Sequence, residues 1–125
     1  GWADPLLSPR AGVDYYDRVT QVMGGLARTQ RFFRLFMIPG MQHCQGGTGP
    51  NAFGQTWVAP GQYPDARHDV RHALESWVER GKAPAALRTV KYRVDAQRGE
   101  VHSTQVVQPY PALAGPVLTA GRVRR

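Results

Sequence analysis

The sequence predicts an α/β fold: a partial parallel sheet with flanking helices, plus a short β-hairpin. Three observations carry that prediction. An apolar run from Phe32 to Ile38 follows a helix-periodic stretch and stops abruptly at Pro39-Gly40. At the other end of that helix, Gly1-Trp2-Ala3 before Asp4-Pro5 reads as the end of a strand entering a loop. Further on, two stretches of alternating residues flank a turn-forming segment. Strand end, helix and strand in that order make most of a βαβ unit, with its first strand expected before Gly1.

Taken in order, Leu6 to Gly12 is a loop punctuated by Pro5, Ser8-Pro9 and Gly12. A helix is expected from Val13 to Ala27. Tyr15, Val19, Val22, Met23 and Leu26 recur on one face, Asp14 and Asp17 lie near its N-terminal dipole, and Gly24-Gly25 ends or frays it. Phe32 to Ile38, interrupted only by Arg34, suits a parallel strand covered on both faces. Gly46 to Pro64 is a long loop with Phe53, Trp57 and Tyr63 interspersed. A second helix is expected from Asp65 to Arg80, with Val70, Ala73, Leu74, Trp77 and Val78 as its apolar stripe and Gly81 and Pro84 beyond its end. Arg88 to Val94 and Val101 to Val107 are expected to be strands joined by a turn over Asp95 to Gly99, and a proline-rich tail starts at Pro109.

The 125 residues suffice for one small domain, residues 1–125, and 42% hydrophobic with 20% charged residues is an ordinary globular balance. The net charge of +7 comes almost entirely from arginine, 14 Arg against 2 Lys. These arginines are scattered, apart from Arg122, Arg124 and Arg125, and neither a helix-turn-helix nor an RNP-type signature accompanies them. A nucleic-acid partner is therefore not expected. No apolar run reaches the roughly 18 residues of a membrane span. Cys44 is the sole cysteine, which leaves no disulfide or cysteine zinc cluster within the chain.

The residues with chemical potential fall in the loops. In open α/β sheets, sites form at the carboxyl edge, where the loop carrying Asp4 and the loop carrying His43 both open. A carboxylate bonded to one imidazole nitrogen fixes the tautomer and leaves the other nitrogen to take a proton from a nucleophile. The residues alone equally allow Asp4 as a turn residue before proline and His43 as an exposed loop residue. His68 and His72 share a helix face at metal-ligand spacing, but Asp69 stands where the metalloprotease motif needs Glu, so no metal is expected. Phe53 and Trp57, with Tyr63, either line a pocket for an aromatic substrate or pin the long loop to the core.

Several local sequences resemble one family in its own order. They are Gly1-Trp2-Ala3-Asp4-Pro5, Val13-Asp14-Tyr15-Tyr16-Asp17-Arg18-Val19, and Phe33-Arg34-Leu35-Phe36-Met37-Ile38-Pro39-Gly40-Met41-Gln42-His43-Cys44. Gly46-Gly47, Gly49-Pro50 and Ala73 to Pro84 continue the match. Together they are similar to the C-terminal part of the tannase and feruloyl esterase family, α/β-hydrolases with a large lid that act on esters of aromatic acids such as gallate and ferulate. The resemblance implies that Asp4 is the triad acid and His43 the base. It also implies that Cys44 is half of a disulfide whose other half lies beside the nucleophilic serine. That serine is expected upstream, because Ser8, Ser76 and Ser103 all lack the Gly-x-Ser-x-Gly setting. Gln108 stands where the family commonly has a cysteine before Pro-Tyr-Pro. The implied partners are a small aromatic ester and the N-terminal part of the same protein, with no cofactor, no nucleic acid and no membrane. The implied location is secreted or periplasmic. The alternative is a non-enzymatic remnant, or a piece active only with its missing half, and the isolated chain is expected to be inactive.

Overall fold

In a computed structural model of the chain, which describes residues 1–57, 59–95 and 98–111, the elements run α1 (Pro9–Val22), α2 (Leu26–Thr29), α3 (Val70–Arg80), β1 (Leu87–Tyr92) and β2 (Val101–Val107). The centre of the expected turn, Ala96-Gln97, lies outside the described residues, as does the tail beyond Pro111.

α1 begins earlier than its periodicity predicts. Ser8 is extended at the N-cap and Pro9 takes the first helical position, where its fixed φ and missing N–H cost nothing. The helix also ends earlier, because Gly24 and Gly25 both adopt positive φ and break the expected continuation into the separate single turn of α2. The buried face differs from the predicted one. Val13 and Tyr16 are inside, whereas Tyr15, Val22 and Met23 are exposed. Tyr16 decides the rotation: its ring meets Phe33 and Tyr110 edge-on at 5.1 and 6.2 Å, and its hydroxyl donates to the Phe33 carbonyl at 3.3 Å.

The parallel strand expected over Phe32 to Ile38 is not formed among the described residues. A strand needs a neighbour to take its alternate N–H and C=O groups. Here the segment meets a single bridge, Leu35 with Tyr110, and Trp2 N–H at the Ile38 carbonyl. The described sheet is instead two-stranded and antiparallel, β1 with β2, in register from Leu87 opposite Val107 to Lys91 opposite Ser103, with a bulge before Tyr92. β2 spans the predicted residues, and β1 stops two residues short of Val94, where the Arg93–Glu100 ion pair closes the end.

β1 is buried along most of its length because the long loop covers its free edge. Val90 exchanges backbone hydrogen bonds of 2.9 Å with Ala52, and its carbonyl also accepts from Asn51 at 3.0 Å. Two apolar clusters result: Ile38, Met41, Phe53 and Val107, and Ala52, Ala59, Val90 and Tyr92.

α3 starts at Val70 rather than Asp65, since Asp69 caps it by accepting from Arg71 and His72 N–H groups at 2.9 and 3.3 Å. Residues 65–68 form a separate turn around the Asp65 carboxylate. Gly81 ends the helix in the left-handed conformation, as its place in the sequence predicts. Of the predicted stripe, Ala73 is buried but Leu74 and Val78 are exposed, and the buried face continues instead through Ser76. Trp77 is only half-buried. It lies under the Arg34 guanidinium at 5.4 Å, and Arg34 also donates to the carbonyls of Gln30 and Pro84.

Candidate active site

Two loops meet at Asp4 and His43. The first is laid alongside the end of the apolar run: Trp2 N–H donates to Ile38 at 2.9 Å, and Ala3 N–H to Met41 at 3.0 Å. Asp4 then turns the chain, its Oδ1 accepting from the N–H groups of Leu6 at 2.8 Å and Leu7 at 3.0 Å. This is the turn chemistry of an aspartate before proline. It occupies one carboxylate oxygen and leaves Oδ2 to face His43 Nδ1 at 2.8 Å. The turn reading and the pairing reading of Asp4 thus hold together, one on each oxygen.

The second loop is a tight hairpin-like turn. Met41 bridges Gly47, Gln42 N–H donates to Gly46 at 3.2 Å, and His43 and Cys44 stand at the tip. Gly47 has φ near 96°, and a Cβ there would strike the Gly40 carbonyl oxygen, so a glycine is required. The side chain of Lys91 reaches across from β1 to donate to the Gly47 carbonyl at 2.7 Å.

The pair is asymmetric in exposure. The Asp4 side chain is 9% exposed and that of His43 is 41% exposed. The Leu7 N–H, with the His43 bond and the Leu6 N–H behind it, lowers the Asp4 pKa to about 2 against the opposing cost of burial. At neutral pH the carboxylate is therefore ionised, and the imidazole donates from Nδ1. Among the described residues, no hydrogen bond occupies Nε2.

Cys44, beside His43, is exposed. Phe53 is buried with Ile38, Met41 and Val107. Trp57 is 88% exposed. Tyr63 packs edge-on against His68 at 5.0 Å. His68 and His72 are each turned to a carboxylate of their own, Asp65 at 2.8 Å and Asp69 at 3.3 Å. Ser8 sits at the N-cap of α1, Ser76 in α3 and Ser103 in β2, and among the described residues no hydrogen bond joins any of them to His43. An open groove of about 450 Å³ runs past Trp2, Pro39, Val106 and Tyr110 without reaching Asp4 or His43. Two residues at the site were not foreseen: Lys91, and Gln55, whose Nε2 donates to the Cys44 carbonyl at 3.1 Å. Neither carries a sequence signal, since a lone lysine in a strand and a glutamine in a loop are commonplace.

The sequence pattern described as "Tannase and feruloyl esterase" matches residues 1–117. The chain belongs to the tannase and feruloyl esterase family. It is 39% identical over 125 residues to an uncharacterized esterase of Xanthomonas campestris pv. campestris, covering 91% of this chain and 22% of that protein. It is 33% identical over 114 residues to the mono(2-hydroxyethyl) terephthalate hydrolase of Piscinibacter sakaiensis, covering 91% of this chain and 16% of that protein. Among solved structures, the crystal structure of an esterase from Aspergillus oryzae aligns with a TM-score of 0.77 at 34% identity, covering 86% of this chain and 21% of that one. The chain thus spans about a fifth of the length of these family members.

Proposed function

We propose that this chain carries the acid and the base of a serine carboxylic-ester hydrolase acting on esters of aromatic acids, the class to which gallate and ferulate esters belong. Asp4 is the orienting acid and His43 the base. The observation that supports this reading most is the 2.8 Å bond between Asp4 Oδ2 and His43 Nδ1, which joins residues 39 positions apart. The nucleophile is a serine outside these 125 residues, because the three serines present sit at the N-cap of α1, within α3 and within β2.

In the reaction, His43 Nε2 takes the serine hydroxyl proton as the oxygen bonds to the ester carbonyl carbon. The tetrahedral adduct collapses with cleavage of the ester C–O bond. His43 returns its proton to the departing alkoxide, which leaves as the alcohol. Water then repeats the sequence on the acyl-enzyme, releasing the aromatic acid and restoring the serine. Throughout, the ionised Asp4 holds the tautomer and stabilises the imidazolium that forms. Cys44 forms half of a disulfide that ties the histidine loop to the segment bearing the serine. Such a bridge fits a secreted or periplasmic location. The partners are the ester and the remainder of the same polypeptide.

A second reading, a non-enzymatic remnant or a piece active only with its other half, is favoured by the placement of Ser8, Ser76 and Ser103, none of which is hydrogen-bonded to His43 among the described residues. Hydrolysis of methyl ferulate and methyl gallate separates the esterase from the non-enzymatic remnant; a piece active only with its other half shares the esterase's outcome. The esterase reading expects turnover by a protein that combines this chain with a nucleophile segment, no turnover by residues 1–125 alone, and loss on His43→Ala. Turnover that survives His43→Ala overturns it.

A further inference from the structure

Gln55 makes three hydrogen bonds through one carboxamide. Oε1 accepts from Phe53 N–H at 3.0 Å, while Nε2 donates to the Asn51 carbonyl at 2.7 Å and the Cys44 carbonyl at 3.1 Å. Only this orientation satisfies all three, because a flipped amide would set a donor against an N–H and an acceptor against two carbonyls. The first two bonds are local and aim the group; the third reaches the loop of His43.

The platform behind Gln55 is fixed. Phe53 is buried in the apolar cluster, the Phe53 carbonyl accepts from Val70 N–H at 2.8 Å, and Gly54 N–H donates to Ala59 at 3.0 Å. The histidine loop is bonded at its base by the Met41–Gly47 bridge and by Lys91. At its tip the described bonds are Asp4 on the imidazole and Gln55 on the backbone of the next residue.

We propose that Gln55 is a positioning residue for His43, holding the loop backbone while Asp4 holds the ring. The proposal rests on the reading of His43 as the esterase base. A proton-transfer group must be set within a fraction of an ångström of its target, and backbone freedom at the loop tip would spread the position of Nε2.

Two variants test it in the whole protein. Gln55→Glu keeps the length and the acceptor for Phe53 N–H, but places an anion against two carbonyls. Gln55→Met keeps the length without charge or hydrogen bonds. Each is expected to lower kcat on methyl ferulate by about ten- to a hundredfold with KM nearly unchanged. Each should also broaden or shift the His43 Nδ1 proton resonance while β1–β2 amide protection is retained. Unchanged kcat and an unchanged Nδ1 resonance in both variants overturn the proposal. So does a loss of β1–β2 protection in both, which would make Gln55 a general stabiliser. If the wild-type protein turns over no ester, the esterase reading fails separately, and the Nδ1 resonance still decides whether Gln55 sets His43.

Discussion

Among the described residues, two of the three Asp–His pairs share the same bond length in opposite surroundings. Asp4–His43 and Asp65–His68 each join a carboxylate to Nδ1 at 2.8 Å. In the first the acid is 9% exposed and the histidine 41%; in the second the acid is 52% exposed and the histidine 14%. The first spans 39 residues and joins two loops, whereas the second closes a single turn with an i, i+3 contact. A sheltered acid behind an accessible imidazole leaves Nε2 free to act on something outside. A sheltered imidazole, packed against Tyr63 behind an exposed acid, holds a turn in place. Bond length does not separate a candidate base from a staple; exposure and span do.

The largest effect that could break this contrast is on rate. Asp4→Asn should lower kcat for an aromatic ester on the order of 10⁴-fold, by releasing the tautomer of His43. Asp65→Asn should leave kcat unchanged. Steady-state kinetics on both variants check this, and equal losses would erase the distinction.

The next effect is on stability and should fall the other way. His68→Ala removes a packed ring and a local hydrogen bond, and is expected to destabilise by about 1–2 kcal/mol. His43→Ala, at an exposed loop tip, should move the melting temperature less. Thermal unfolding of the two variants compares them.

A smaller effect is the acid titration. Both carboxylates are lowered, Asp4 to about 2 by the Leu7 N–H, His43 and the Leu6 N–H, and Asp65 chiefly by its bond to His68. A depressed carboxylate contributes stability that is fully present above its unfolded value of 3.8 and is lost as pH falls through the folded value, for Asp4 near 2. Carboxyl NMR titration should therefore show the Asp4 midpoint well below 3.8.

How far the sequence discloses this arrangement depends on how local each cause is. The limits of β2, the Gly81 stop of α3 and the break at Gly24-Gly25 are readable because alternation and glycine chemistry act within a few residues. The start of α1 is misread because Ser8-Pro9 serves as N-cap and first turn rather than as a breaker. Phe32 to Ile38 has strand composition, but a strand is a relation to a neighbour, and the neighbour is not encoded in the segment. Asp4 and His43 could be nominated from their loops and from family resemblance. Gln55 and Lys91 could not, because their roles exist only once distant loops are brought together.

The most direct measurement is the tautomer of His43 by long-range ¹H–¹⁵N NMR at neutral pH. The Asp4–His43 arrangement predicts a proton held on Nδ1, seen as a downfield Nδ1 resonance that disappears in Asp4→Asn. An imidazole protonated at Nε2, or one averaging between tautomers in the wild-type protein, would contradict it.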